Sequence, residues 1–143
     1  MNASSNMALE LRPLCTVDLE LAPATNIGEG PSGTRMVVDI HSMTISGDRL
    51  NARLKGGAAA DWFTVVGSTA TIDVRATLET DDGALIYVQY RGRSDVTSGI
   101  GALPMYVAPT FETSDERYQW LNHVQAVGKG DLKTLRYEWF EVQ

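Results

Sequence analysis

The segment TIDVRATLETDDGALIYVQYRGR, residues 71–93, constrains the fold more than any other part of the chain. Two runs of alternating polar and apolar residues flank Asp81-Asp82-Gly83. Such alternation marks strands with one buried face. Asp-Asp-Gly suits a three-residue hairpin loop with Gly83 in the left-handed position, where a Cβ would be strained. Thr80 then opposes Ala84. On one face Thr77 meets Tyr87, Arg75 meets Gln89 and Asp73 meets Arg91. On the other, Leu78 meets Ile86, Ala76 meets Val88 and Val74 meets Tyr90. A slip of one residue would set polar against apolar positions along the whole hairpin, so the pattern fixes the register.

The rest of the chain reads in the same idiom. Odd positions from Leu9 onward are apolar (Leu9, Leu11, Cys15, Val17, Leu19, Leu21), with Pro13 marking an edge or a bulge. Residues 23–33, rich in Gly, Pro, Asn and Thr, read as a long irregular loop. Further strands are expected at 34–45, 49–54, 62–66, 105–111, 124–127 and 132–142, with Gly128-Lys129-Gly130 as a hairpin turn. Only 115–123 (DERYQWLNH) suggests a helix, of one or two turns, capped by Thr113 or Ser114. Residues 1–7 read as a flexible leader and 8–143 as one domain. Short strands at this spacing predict an all-β fold, a sandwich or a closed antiparallel up-and-down β-barrel, with one short helical turn near 115–122.

Composition excludes several function classes. The 12 Lys and Arg residues are outnumbered by 18 acids, for a net charge of −6, which argues against a nucleic-acid partner. No apolar run reaches the length of a membrane helix and no signal pattern opens the chain, so the expected compartment is the cytoplasm, with no membrane partner. One cysteine, Cys15, allows no internal disulfide and reads as a buried core residue. Two histidines, His41 and His123, without paired spacing, give no metal site, and neither glycine pair has the context of a nucleotide cradle. No cofactor is expected.

What remains is acid–base chemistry. The polar hairpin face (Asp73, Arg75, Tyr87, Gln89, Arg91) is either the wet exterior of a barrel or the lining of its lumen. The second arrangement would turn the apolar face outward and imply a homo-oligomer, a dimer or tetramer. Asp61, beside Trp62 and after a small flexible stretch, is placed to sit at a barrel mouth against an aromatic wall. Burial there would raise its pKa and make it a general acid or base. Tyr118, Trp120 and Asn122 offer aromatic contacts and an amide to a ring-containing ligand. Tyr137 and Trp139, of one parity on the last strand, are placed on a core or pocket wall, and His41 is a candidate proton carrier.

Several short motifs carry a resemblance. They are ADW at 60–62, the run D-x-R-x-T-L-x-T-x-D-G-A-L-I-Y-V from Asp73 to Val88, and R-G-R at 91–93. F-x-T at 111–113, Y-x-W-L-N at 118–122 and Y-x-x-x-E at 137–141 complete the set. In this order and spacing, across about 9–142, the chain resembles the domain-of-unknown-function family 3237, also called uncharacterised protein family 0311. The resemblance implies a closed antiparallel β-barrel, lipocalin-like in outline, and brings no agreed reaction or cofactor. The chain departs from the family at 41–47 (HSMTISG), where a Gly-Gly-Thr-Phe-x-Gly turn is usual, and at Tyr90-Arg91, where an asparagine is usual.

Two functional readings follow. One is a cofactor-independent lyase, isomerase or cyclase acting on an aromatic or polyketide-like molecule. In it Asp61 or Asp73 is the base, Arg75 and Arg91 stabilise an anion, and Tyr87 or Tyr118 donates a proton. The other is a non-catalytic carrier or sensor of a small hydrophobic ligand. The face of the 70–91 hairpin that points inward separates the arrangements on which the first reading depends.

Overall fold

The computed structural model describes residues 7–143; the leader expected at 1–7 falls, apart from Met7, outside the described residues. The strands are β1 (Leu11–Leu21), β2 (Thr25–Gly30), β3 (Gly33–Ser46), β4 (Ala52–Leu54), β5 (Ala60–Val66), β6 (Thr69–Thr80), β7 (Leu85–Asp95), β8 (Met105–Val107), β9 (Thr110–Glu112), β10 (Ala126–Asp131) and β11 (Arg136–Val142). A short 3₁₀ helix, Glu116–His123, lies between β9 and β10.

All eleven strands belong to one antiparallel sheet. A circuit of eight of them, β1-β3-β5-β6-β7-β8-β10-β11, closes through β6–β7 and β1–β11. Three staves of this barrel are broken in two. β4 continues β5 between β3 and β6, β9 continues β8 beside β7, and β2 continues β1 beside β3. Counted by stave, each strand neighbours its successor, which is a closed up-and-down barrel in which the half-staves β2 and β9 pair on one side only.

The β6–β7 hairpin has the register its sequence specifies: Asp73 opposes Arg91, Thr77 opposes Tyr87 and Glu79 opposes Leu85. Gly83 has φ 90°, and its N–H donates to the Thr80 carbonyl at 3.0 Å. The even-numbered apolar face is buried, including Ala70, Ile72, Val74, Ala76, Leu78, Ile86, Val88 and Tyr90. The core therefore fills the inside of the barrel, and the polar hairpin face is its exterior.

Four local expectations are corrected. The 23–33 stretch is not wholly irregular, since β2 pairs with β3 across a two-residue turn at Pro31-Ser32. The helix is capped by Asp115, whose Oδ1 accepts the Arg117 N–H at 2.9 Å, rather than by Thr113 or Ser114. Leu9 and Leu11 are exposed, because the bulge at Pro13, which lacks an N–H, shifts the register before Cys15 and inverts the alternation. Finally, Gly128-Lys129-Gly130 lies within β10, and the turn falls at 132–135, where Leu135 adopts φ 59°. Those two glycines serve packing. A Cβ on Gly128 would collide with the Trp139 ring, and one on Gly130 with the Tyr137 ring. Bare backbone in β10 lets both aromatic side chains of β11 lie across it.

The two ends of the barrel differ. At one, the 3₁₀ helix packs on β9 and inserts Leu121, fully buried with Leu50 and Leu78. Thr113 donates to the Leu85 carbonyl at 2.8 Å, Tyr118 donates to Asp82 Oδ1 at 2.8 Å, and Arg117 donates to the Asp82 carbonyl at 3.0 Å. These bonds fasten the helix over the β6–β7 turn. The opposite end is ringed by the end of β1, the starts of β3, β6, β8 and β11, and the ends of β5, β7 and β10.

Candidate functional site

The inward face of β5 carries one charged side chain among apolar neighbours. Asp61 opposes Val38 on β3 and Val74 on β6, and Val74 opposes Tyr90 on β7. Directly opposed residues share a face of a sheet, so this row points with the buried Val74 and Tyr90 into the barrel. Asp61 itself is only partly buried.

The ladder itself makes room for this carboxylate. β5 and β6 hold one register throughout, yet their pairing lapses between Asp61↔Val74 and Thr64↔Thr71. In that gap the Asp73 N–H donates to Asp61 Oδ1 at 3.1 Å, and Arg35 Nη1 donates to the Trp62 carbonyl at 3.0 Å. Two backbone groups at the lapse, the Asp73 N–H and the Trp62 carbonyl, thus have side-chain partners, as buried polar groups require.

Burial pushes the Asp61 carboxyl up from its ordinary 3.8 to about 6, opposed by the Asp73 N–H and reinforced by the Asp73 charge. Its neighbours are two phenols. Tyr90 is raised well above 10 by burial, with contributions from Tyr137 and Asp61, and Tyr137 is raised by burial and by Asp61. Both therefore stay protonated at neutral pH. Trp139 stands edge-on to Tyr90 at 5.1 Å and to Phe111 at 6.0 Å. It is 1% exposed, and its indole N–H has no partner among the described residues. Cys15, opposite Trp139, is pushed up to about 12 by burial, so it is an inert thiol.

The interior thus offers one acid–base group near neutrality, two phenolic hydroxyls and an unused N–H donor, walled by Ile72, Val74, Phe63 and Met105. A carboxyl of this kind exchanges a proton at neutral pH without further activation.

The other residues singled out in the sequence lie elsewhere. Trp62 is on the outer face, since it alternates with Asp61, and the Arg75 guanidinium stacks on it at 4.5 Å. Asp73 and Arg91 are cross-strand neighbours on that exterior but form no ion pair. Tyr87 donates to Gln89 Oε1 at 2.9 Å, also outside. Arg75, Gln89 and Arg91 are exposed, so the lumen lining built from this hairpin face is not what the barrel contains. Enclosing unpaired arginines would cost far more than enclosing the Ile, Val and Leu side chains of the other face. His41 is exposed on β3. Tyr118 ties down the helix, Trp120 lies under Arg49 at 4.7 Å, and the Asn122 amide bridges the N–H and carbonyl of Thr113 at 2.8 and 2.9 Å. Of these candidates Asp61 and Tyr137 reach the interior. Trp139, expected with Tyr137 on a core or pocket wall, joins them, and so does Tyr90, expected only as part of the hairpin's apolar face.

An outer groove of about 750 Å³ runs past Arg91, Tyr106, Val127 and Phe140 and contains none of this cluster. Among the described residues no three His, Cys, Asp or Glu side chains group as metal ligands, and no helix is long and apolar enough to cross a membrane.

A family model described as "Protein of unknown function (DUF3237)" matches residues 9–142. The chain belongs to that family. It is 31% identical over 121 residues to "Hydroalkoxylation enzyme phnH" of Penicillium herquei, covering 78% of this chain and 72% of that protein. A UPF0311 protein of Rhodopseudomonas palustris is 26% identical over 127 residues, 79% of this chain and 82% of the relative. Among solved structures, a beta-barrel like protein of Acinetobacter baumannii superposes with a TM-score of 0.84 at 30% identity, covering 95% of this chain and 97% of the other. An enzyme from Penicillium herquei superposes with a TM-score of 0.72 at 27% identity, covering 95% and 94%.

Proposed function

We propose that this DUF3237 barrel is an enzyme that isomerises or cyclises an aromatic or polyketide-like molecule by proton transfer, with Asp61 as its acid–base group. The observation that carries the reading is the Asp61 carboxyl, held inside an apolar barrel at a pKa of about 6 beside Tyr90 and Tyr137. The hydroalkoxylation activity named for the Penicillium herquei relative supports the reaction class. Hydroalkoxylation adds an O–H across a carbon–carbon double bond. Protonated Asp61 delivers its proton to one alkene carbon, a hydroxyl oxygen of the same molecule bonds to the other, and the hydroxyl proton returns to the Asp61 carboxylate. Atoms balance, no electrons are exchanged, and the chain's own groups are sufficient. The phenols and the Trp139 N–H supply donors to an oxygen of the substrate that gains charge on the way.

The test is incubation with phenols bearing a pendant alkene next to the hydroxyl, followed by chromatography for an isomer of unchanged mass. Asp61→Asn should abolish product while leaving binding within a fewfold of the parent. Tight binding without product in the parent protein would favour the carrier reading instead.

A further inference from the structure

We propose that the outer wall of the barrel carries a second binding site, for a small aromatic carboxylate, in the groove across β6, β7, β8, β10 and β11. It shares no residue with the Asp61 cluster and does not depend on the reading of the interior. The groove holds about 750 Å³, within the usual range of small-molecule sites. Its shape has a cause in the backbone. Gly92 of β7 and Gly128 of β10 both oppose Val107 of β8, one from each side. A Cβ on Gly92 would meet the Tyr106 carbonyl, and one on Gly128 the Trp139 ring. The three strands thus draw together where side chains would hold them apart. The outer surface is concave over them, with Gly92, Val107 and Gly128 in its floor.

The side chains of the groove depart from the rule that outward positions are polar. On the β6–β7 exterior those positions are Asp73, Arg75, Tyr87 and Gln89; here they include Tyr106, Val127 and Phe140, with Leu11 beside them. Tyr106 and Leu11 are 57% and 55% exposed, so apolar surface stands in water and gains by taking an apolar body. The charges specify the rest of the ligand. Arg91, Arg93 and Lys129 line the groove and no acid does. Among the described residues none of the three forms an ion pair. Asp73 is the ladder neighbour of Arg91 and Glu138 that of Lys129, yet neither couple closes. The Lys129 ammonium lies instead 6.0 Å from the centre of the Tyr106 ring. In a chain with 18 acids against 12 bases, three unpaired cations around an aromatic floor mark a place for an organic anion. A guanidinium takes a carboxylate through two parallel N–H bonds, and a flat ring packs on Tyr106 and Phe140. Past the cations only Thr71 and the Tyr106 hydroxyl are polar side-chain groups, so the sugar and further phosphates of a nucleotide would find few partners.

The test is a nitrogen-15 NMR titration of the full chain with 2-naphthoate, beside 2-naphthalenemethanol as its uncharged counterpart. Naphthoate should shift the amides of Gly92, Val107 and Gly128 and bind about tenfold more tightly than the alcohol. Arg91→Gln with Arg93→Gln should bring the carboxylate down to the affinity of the alcohol and leave the alcohol itself unchanged. Tyr106→Ala should weaken both compounds. All three side chains are exposed, so the fold is not at stake. Rising salt should weaken naphthoate and spare the alcohol, because these charges face water. Equal affinity for the two compounds, a carboxylate affinity indifferent to the arginine substitutions, or shifts confined to interior positions such as Val74 and Tyr90 would overturn the site. So would a dimer in sedimentation that Tyr106→Ala dissolves, with naphthoate excluded from the parent, since the groove would then be a contact between copies. Asp61→Asn should leave the groove affinity unchanged, which keeps failure here distinct from failure of the Asp61 reading.

Discussion

Oδ1 of Asp61 accepts the backbone N–H of Asp73 at 3.1 Å, so a side chain of β5 takes a bond that the β5–β6 ladder would otherwise supply. The bond keeps an ionisable group anchored inside an apolar barrel. It lowers the Asp61 pKa, but less than burial raises it, and the result stands near 6. A carboxyl meant only to close the ladder would be better served by an amide, which accepts the same bond without a buried charge.

The first expectation follows by linkage. Below the unfolded value near 3.8 the carboxyl is neutral in both states and costs nothing. As pH rises through the folded value of about 6, the folded chain must ionise a buried group and loses up to about 3 kcal/mol relative to its acid form. Asp61→Asn does not titrate and keeps the bond to Asp73. Denaturant unfolding should therefore show the variant gaining on the parent between pH 4 and pH 8; a constant difference across that range would contradict the assignment.

Gly130→Ala should be among the most damaging small substitutions. Its Cβ would enter the Tyr137 ring, which is 3% exposed and has β1 on its other side. A loss of about 3 kcal/mol is expected in chemical denaturation, with partial recovery when Tyr137→Ala is added, since the clash is with that ring.

Asn122→Ala should destabilise the closed end by about 1–2 kcal/mol, because both backbone groups of Thr113 lose their partner at once. Hydrogen exchange should rise at Thr113 and in the 3₁₀ helix while the β6–β7 hairpin is unchanged.

Arg75→Met should leave ligand affinity and any turnover within twofold of the parent. Its guanidinium stacks on Trp62 outside the barrel, and the substitution retains an apolar cover for the ring. A tenfold loss of affinity would place the site on the outer wall instead.

The barrel was legible in the sequence wherever alternation and turn chemistry agreed. The β6–β7 register followed from Asp81-Asp82-Gly83 and two matched faces. The site was less so, because its members look like core residues. Tyr90 and Trp139 share the parity of the leucines and valines beside them, and only the closed barrel shows that their polar atoms meet Asp61's charge or an empty partner position. The charged hairpin face misled for the opposite reason. Density of ionisable residues is what a solvated wall requires, and periodicity alone does not say which wall is wet. Asp61 was singled out for its place beside Trp62 after a small flexible stretch, and the aromatic wall expected from that neighbour is not the one it meets. Trp62, its sequence neighbour, went to the other face by the same period-2 rule that brought Asp61 in. The glycines of β10 suggested a turn because their partners, the rings of Tyr137 and Trp139, lie on the following strand.

The most direct measurement is the titration of the Asp61 carboxyl by carbon-13 NMR, with the resonance assigned by its loss in Asp61→Asn. A midpoint near pH 6, moving when an alkylphenol fills the barrel, is the expected result. A midpoint near the ordinary 3.8 and indifferent to ligand would show a solvated carboxylate, and the account of Asp61 as the barrel's acid–base group would be wrong.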